Sequence, residues 1–169
     1  DKSHKLQNII SEQLVGCGFN EILNNSLTAS AYYDELESFK SENLVRLMNP
    51  LSNDLNVLRQ TILFGGLESL QRNINRKFTD LSFFEFGNTY RFDADKRVED
   101  KILSPYSESY HLGLWMTGNN VAASWIEQGR QLSVYDLKAV VEHIFDRLGF
   151  KPGMRLVTTF SDDIFSAAI

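Results

Sequence analysis

The sequence is poor in several features that would assign it to a class of protein at once. It has one cysteine in 169 residues, so it can form no internal disulfide, and a reducing, cytoplasmic setting is expected. Its longest apolar runs are a few residues, far below the roughly 18 that a membrane-spanning helix needs. Its net charge is −5, and no run of Lys or Arg exceeds two residues. A stand-alone nucleic-acid-binding domain is therefore disfavoured.

The sequence is rich in hydrophobic residues. Its composition is 43% hydrophobic and 23% charged, which excludes global disorder and suits one globular domain over residues 1–169. The chain starts at Asp1 without Met and ends on an apolar stretch, residues 165–169. We therefore expect a piece of a longer polypeptide, truncated at its C-terminal end.

The spacing of apolar residues predicts an α+β fold, an antiparallel sheet flanked by helices. Helices are predicted over 4–17 and 61–76, as a short segment near 30–36, and from a capping box at Ser133 and Asp136 to Gly149. Strands are predicted over 19–27, 44–48, 57–59, 80–92, 110–117 and 154–160. The strands 80–92 and 110–117 should pair as a hairpin across a charged connector, 93–109, whereas 119–132 is expected to be irregular.

Candidate catalytic and metal-binding residues are few. His4, His111 and His143 fall on separate elements, without a Cys or second His at ligand spacing. Cys17 continues the apolar stripe of the first helix and is expected in the core. Glu85 lies within a predicted strand, where a solvated or paired carboxylate is favoured over a general acid. No complete catalytic constellation or phosphate-binding loop is visible.

Five sequence segments, taken in order, resemble one family. They are VGCGFNEILNNSL, MNPLSNDLNVLRQTILFGGLESLQRNINR, LSFFEFGNTYRF, HLGLWMTG and VYDLKAVVEHIFDRLGF. Together they are similar to the class II-like catalytic-core module of the β chains of bacterial phenylalanyl-tRNA synthetases. The resemblance covers about residues 4–169, and NPLS, VLR and FFEFG are its most specific parts.

The resemblance implies a parent enzyme that uses ATP and Mg to attach phenylalanine to its tRNA. Catalysis in that family belongs to a separate α chain, and the enzyme is a dimer of αβ pairs. The β module shares the fold of class II aminoacyl-tRNA synthetases and biotin ligases but is catalytically silent. We therefore expect it to dock the α chain, while other modules make the main tRNA contacts.

The first class II motif, a helix and a strand at the subunit interface, is matched in part. Gly18, Phe19 and Ile22 fit its pattern, but Asn25 stands where a proline is usual. The resemblance makes the apolar residues of this segment interface candidates, and plain core packing remains the alternative for them. These candidates are Leu6, Ile9, Ile10, Leu14 and Phe19.

The second class II motif is matched loosely by residues 90–93, YRFD. By resemblance, Arg91 is a weak candidate for holding an ATP phosphate. Asp93 replaces the usual Glu, the returning strand offers no second arginine, and the third motif is not found. Two alternatives stay open beside a silent module: an active ATP-binding class II ligase domain, and an unrelated protein-interaction domain.

Overall fold

The computed structural model describes residues 2–121, 125–126, 129–150 and 163–165. Three α-helices and eight strands alternate along this part of the chain, which confirms the predicted α+β class. In chain order they are α1 (Lys2–Gly16), β1 (Asn20–Glu21), β2 (Leu27–Thr28), β3 (Val45–Arg46), β4 (Val57–Leu58), α2 (Leu63–Ile74), β5 (Leu81–Phe92), β6 (Tyr106–Thr117), β7 (Asn119–Val121), β8 (Arg130–Gln131) and α3 (Val134–Arg147). None of the helices described is long and apolar enough to cross a bilayer.

The described strands form three small sheets, in the orders β1-β5-β6, β2-β4-β3 and β7-β8. The pairs β2·β4, β3·β4 and β7·β8 are antiparallel. The pair β1·β5 is parallel, which the sequence pattern did not indicate. The two longest strands, β5 and β6, are neighbours in the first of these sheets.

The hairpin β5–β6 runs antiparallel. The Asp93 N–H donates to the Pro105 carbonyl at 2.7 Å, and the rings of Phe92 and Tyr106 lie 5.4 Å apart. Further along, the Thr89 hydroxyl reaches the Ser109 carbonyl. Because successive side chains of a strand point to opposite faces, this register places the even-numbered residues of both strands on one face.

The described chain divides into two compact units. Unit 1 contains residues up to Ile22, then Ser69–Phe84, and those from Leu114 onward. Unit 2 contains Leu23–Glu68 and Glu85–Gly113. Each unit has its own buried apolar residues.

In unit 1, helix α1 packs against β1 and α3 and buries Ile10 and Leu14. The helix ends because Gly18 adopts a φ of +87°, a left-handed conformation that glycine enters without a steric penalty. The Phe19 N–H then donates to the Leu14 carbonyl at 3.0 Å, and both side chains are buried. This is a Schellman ending with its usual apolar contact.

Helix α3 begins and ends as predicted. The Ser133 N–H and hydroxyl both donate to Asp136 Oδ2 at 2.8 Å, which confirms the capping box. At the other end, Gly149 has a φ of +79°, and the Phe150 N–H donates to the Phe145 carbonyl. The rings of Phe145 and Phe150 meet edge to face at 5.3 Å.

In unit 2, a cluster of Tyr33, Leu44 and Val57 forms the core. The Phe64 ring packs edge-on against Tyr33 at 5.5 Å. The Tyr33 hydroxyl oxygen accepts a bond from the Gln60 N–H at 3.1 Å, so this buried polar group is satisfied. Burial raises the pKa of the Tyr33 phenol.

The predicted strand 19–27 is wrong in its middle. Only Asn20–Glu21 and Leu27–Thr28 are strands, and Leu23 is 89% exposed. The reason is local: Asn25 Oδ1 accepts a 3.0 Å bond from the Leu27 N–H. This Asx turn offers the backbone an alternative to a continuous ladder.

Other predicted elements need smaller corrections. Cys17 is exposed, because it sits where the chain leaves α1 and Phe19 fills the core instead. The helix near 30–36 is a 3₁₀ turn, Ser30–Tyr33, without a side-chain cap. The connector 93–109 is shorter than predicted since β6 begins at Tyr106, and β7 with β8 gives order to part of 119–132. The predicted strand 154–160 lies outside the described residues.

Candidate functional site

The candidate phosphate-binding residue, Arg91, lies near the end of β5 in unit 2, and it is exposed. The Asn43 side-chain amide is oriented so that its oxygen and its nitrogen each have a hydrogen-bond partner. Asn43 Oδ1 accepts from Arg91 Nη2 at 3.1 Å, and Asn43 Nδ2 donates to the Phe92 carbonyl at 3.2 Å. Arg91 is thus held by an amide of its own chain. Asp93, two residues on, pairs with Lys96 at 3.3 Å.

A buried ion pair lies on the same face of β5 as Arg91, since the residues differ by an even number. Arg59 Nη1 donates to Glu85 Oε1 at 2.8 Å, and the two side chains are 5% and 0% exposed. Arg59 Nε also donates to the Asn88 carbonyl at 3.0 Å. The second carboxylate oxygen of Glu85 accepts from Asn24 Nδ2 at 2.7 Å.

The backbone around Arg59 fixes this arrangement. The Arg59 N–H donates to the Ser26 carbonyl, and its own carbonyl accepts from the Tyr90 N–H, both at 2.9 Å. The chain directly after β4 therefore lies beside β5, and the Arg59 side chain crosses the strand. A charged pair withdrawn from water needs such geometry, because desolvation of each ion costs several kcal/mol unless it is compensated.

Gly87 provides the space for the guanidinium. A Cβ atom at this position would lie 2.2 Å from Arg59 Nη2 and 3.2 Å from Glu85 Oε1. The glycine of the FEFG segment is therefore required by the close approach of Arg59, and its backbone needs no unusual dihedral angle.

This face does not fit an ATP phosphate. The Arg59 cation is neutralised by Glu85, the space above Gly87 is filled, and Arg91 contacts Asn43. A phosphate site needs an open set of donors aimed at the ligand. The part of the chain that the structure describes also holds no group of three or more His, Cys, Asp or Glu side chains that could bind a metal ion.

Sequence reasoning placed Glu85 on a strand but did not identify its partners. A signal was present, because a carboxylate between Phe84 and Phe86 in an apolar strand must be paired when the strand is buried. The structure shows that Glu85 is a buried, paired carboxylate and not a solvated one. Nothing in the sequence selects Arg59, 26 residues earlier, over the other cations.

The five interface candidates divide into two sets in unit 1. Ile10, Leu14 and Phe19 are buried, so they stabilise the unit itself. Leu6 and Ile9 are 45% and 38% exposed on α1. Arg91 belongs to unit 2, whereas the α1 candidates belong to unit 1.

An open cleft of about 450 Å³ lies between α1 and α3 of unit 1. It is lined by Glu12, Gln13, His143, Asp146 and Arg147. Gln13 Oε1 is buried and has no hydrogen-bond partner among the described residues. Gln13 follows Ile9 by four positions, so the two side chains lie on neighbouring parts of the same helix face.

Comparison with solved structures shows the fold. A pyrrolysyl tRNA synthetase from Desulfitobacterium hafniense matches 87% of this chain and 45% of its own, with a TM-score of 0.54 and 16% identity. An ATP phosphoribosyltransferase regulatory subunit/histidyl-tRNA synthetase from Bacillus halodurans matches 88% and 34%, with a TM-score of 0.58 and 16% identity. The class II aminoacyl-tRNA synthetase-like fold that the resemblance implied is confirmed.

Comparison of sequences shows the family. A phenylalanine–tRNA ligase beta subunit of Bacteroides fragilis is 63% identical over the whole chain, and that of Porphyromonas gingivalis is 48% identical. The chain spans 21% of the length of each relative, about a fifth. The family model described as "Phenylalanyl tRNA synthetase beta chain CLM domain" matches residues 1–165. This chain therefore belongs to the phenylalanyl-tRNA synthetase β chain family, and its residues 1–165 match the CLM domain.

Proposed function

We propose that this module docks the catalytic α chain of a phenylalanine–tRNA ligase and carries no active site of its own. The parent enzyme would use ATP and Mg to attach phenylalanine to its tRNA, as a cytoplasmic dimer of αβ pairs. With a net charge of −5, the module is a poor candidate for the main tRNA phosphate contacts. Those contacts would lie on other modules or on the α chain.

One observation carries the proposal of a silent module: the buried Arg59–Glu85 pair occupies the face of β5 that bears Arg91. A nucleotide phosphate bound by Arg59 would require this guanidinium to leave Glu85. Removing one partner of a buried pair leaves an uncompensated charge, at a cost of roughly 3–5 kcal/mol. The α+β scaffold thus has internal polar contacts where an active relative would need open donors.

Helix α1 supports the docking role. Its apolar stripe continues beyond the buried Ile10 and Leu14 to the exposed Leu6 and Ile9, so only part of the stripe packs inside unit 1. The neighbouring Gln13 Oε1 would gain a partner from a donor on a docked chain, which removes the penalty of an unsatisfied buried acceptor. An exposed apolar patch beside an open cleft is typical of a protein interface.

The docking role is tested with the full-length β chain. The double variant Leu6→Ala/Ile9→Ala should weaken its binding to the α chain by about tenfold or more, since interface residues that matter lose over 1 kcal/mol on truncation. Val15→Ala is the matched control, because Val15 is exposed on another side of the same helix. Unchanged affinity in the double variant, or equal losses in both, would show that this face is not the interface.

The silent role is tested by nucleotide stoichiometry in the assembled enzyme. Titration calorimetry with ATP and Mg should give the same number of sites per αβ pair for wild type and for Arg91→Ala in the β chain. Loss of a site in the variant would identify the module as an ATP-binding ligase domain. The two tests are independent. A negative result in the docking test would therefore leave the proposal that the module has no active site unaffected.

A further inference from the structure

The end of helix α2, in unit 1, concentrates positive charge in an otherwise acidic chain. Residues 69–79 include three cations and no carboxylate, although the net charge of the whole chain is −5. Arg72, Arg76 and Lys77 are all exposed. Phe78, which follows them directly, is 62% exposed. We call these four residues the α2 end.

The backbone holds the α2 end in one short, ordered segment. The N–H groups of Arg76 and Phe78 both donate to the Asn73 carbonyl, at 2.9 and 3.1 Å, so the helical path continues beyond the last residue of α2 and then closes. Arg72 and Arg76 are four positions apart and therefore lie on the same side of this path. Lys77 stands between the two closing residues with a φ of +73°.

The acids that flank this segment in sequence are engaged by other groups. The Tyr32 hydroxyl donates to Glu68 Oε1 at 2.6 Å, and the Asn119 N–H donates to Asp80 Oδ1 at 2.9 Å. In the part of the chain that the structure describes, none of the three cations of the α2 end forms an ion pair with a carboxylate. Their guanidinium and ammonium groups are therefore able to bind an anionic ligand.

Two observations distinguish the α2 end from an ordinary solvated helix end. The negative end of a helix dipole attracts cations, which accounts for Arg72 and Arg76. It does not account for Lys77 in a left-handed conformation, and strained residues of this kind are concentrated at functional positions. It also does not account for the exposed Phe78 ring. Cations beside such a ring are typical of surfaces that bind RNA, because phosphates pair with the cations and unpaired bases stack on the ring.

We infer that the α2 end is a secondary contact site for the tRNA of the parent enzyme. Arg72, Arg76 and Lys77 pair with backbone phosphates, and Phe78 stacks on an unpaired base. RNA is favoured over an acidic protein segment because carboxylates would use the cations but leave the ring exposed. The inference rests on the proposed function, since that function makes tRNA a ligand of the assembled enzyme. It leaves the main tRNA contacts on other modules.

The phosphate contacts are tested by the salt dependence of tRNA binding. Fluorescence anisotropy measures the affinity of the assembled enzyme for a fluorescein-labelled tRNA for phenylalanine at a series of KCl concentrations. The variant Arg72→Gln/Arg76→Gln/Lys77→Gln should bind about tenfold more weakly. The slope of log affinity against log salt should be shallower by about 2, because each lost phosphate contact removes roughly 0.7–0.9 from it.

The matched control removes the same charge from three exposed cations of unit 2, as Arg46→Gln/Arg97→Gln/Lys101→Gln. Its salt slope should equal that of the wild type. An unchanged slope in the α2-end variant would overturn the inference. Equal changes in both variants would overturn it as well, because the overall charge of the module would then be the cause. Circular dichroism and size-exclusion chromatography check that both variants are folded and assembled.

The stacking contact is tested by Phe78→Ala in the same assay. This variant should bind the tRNA about fivefold more weakly or worse with an unchanged salt slope, because stacking neutralises no phosphate. Tyr135→Ala is the control, since Tyr135 is 68% exposed on α3 of the same unit. Wild-type affinity in Phe78→Ala would overturn the assignment of the α2 end to RNA.

The assay also separates this inference from the proposed function. If the wild-type enzyme fails to bind the tRNA, the proposed function and the inference are both overturned. If the wild type binds and the α2-end variants bind equally well, only the inference is overturned. The docking test on Leu6 and Ile9 measures association of the β chain with the α chain, so it reports on neither tRNA contact.

Discussion

Arg59 Nη1 and Glu85 Oε1 form a 2.8 Å ion pair in which both side chains are buried. The pair joins residues on either side of helix α2 and fixes the chain after β4 against β5. It also accounts for the glycine at position 87, which the guanidinium crosses. The buried arginine of this module is therefore part of its own structure.

The ion pair predicts strong coupling between its two residues. Arg59→Met or Glu85→Leu alone should lower the free energy of unfolding by roughly 3–5 kcal/mol, because each leaves a buried charge without its partner. The double variant should cost less than the sum of the two, with a coupling energy of at least about 1 kcal/mol. Urea unfolding of the 169-residue chain measures all four corners of the cycle.

If the losses of unfolding free energy in the two single variants simply added up in the double variant, the Arg59–Glu85 ion pair would be contradicted. The double variant is not expected to be neutral, because Asn24 Nδ2 and the Asn88 carbonyl both lose a partner. Arg59→Lys is a useful companion. It keeps the charge but lacks the planar fork that reaches both Glu85 and the Asn88 carbonyl.

Gly87→Ala should be destabilising through Arg59. The added methyl would lie 2.2 Å from Arg59 Nη2, and overpacking of a buried site costs roughly 1–3 kcal/mol. In the Arg59→Met background the same change should cost clearly less, since the crowded group is absent. An equal penalty in both backgrounds, measured by urea unfolding, would trace the effect to the strand backbone instead.

Periodicity and end signals made much of this fold predictable. Helix α1 was predicted over 4–17 and is Lys2–Gly16, and β5 was predicted over 80–92 and is Leu81–Phe92. Both elements bury a regular face, so local pattern and tertiary packing agree. Gly18 and Gly149 also predicted correctly where α1 and α3 end, because a left-handed residue after a helix is most often glycine.

What could not be predicted depends on contacts distant in sequence. The parallel pairing of β1 with β5 joins Asn20 to Phe83, and two-residue strands have no periodicity to detect. The first residues of β6, Tyr106–Ser109, are mostly polar and show no strand periodicity. They form a strand because they pair with β5. Likewise, Arg59 becomes a partner of Glu85 through the fold, not through any motif.

Helix α2 has a strained ending that no sequence pattern indicates. Its left-handed residue is Lys77, with a φ of +73°, and the Phe78 N–H donates to the Asn73 carbonyl at 3.1 Å. Lys77→Gly should raise the free energy of unfolding by about 0.5–1 kcal/mol, because a Cβ is unfavourable in this conformation. Urea unfolding measures the gain. Lys77→Ala keeps the Cβ and should give none; a gain in both variants would point to the charge instead.

Asp136 predicts a dependence of stability on pH. Hydrogen bonds from Arg130 first, then from the Ser133 N–H and hydroxyl, hold the pKa of this carboxyl well below its usual range. Arg130 Nη2 approaches Asp136 Oδ1 at 2.6 Å, and Asn120 Nδ2 donates to the same oxygen at 2.8 Å. The ionised form is therefore the one that holds the start of α3 against β7 and β8.

The sign follows from linkage. A group whose pKa is lowered by folding stabilises the protein above its unfolded pKa, and that contribution is lost as pH falls through the folded value. Asp136→Asn should therefore be less stable than wild type by a constant amount at neutral pH. The difference should shrink as the pH falls below about 4, the unfolded pKa of an aspartate.

Unfolding curves between neutral and acidic pH measure this difference, and Arg130→Gln shows its cause. Because Arg130 is the largest source of the shift, the effect of Asp136→Asn in that background should lose most of its pH dependence. If the difference keeps the same pH profile without Arg130, the cap at Ser133 alone would hold the carboxylate. A difference that grows on acidification would reverse the sign and refute the role of the ionised form.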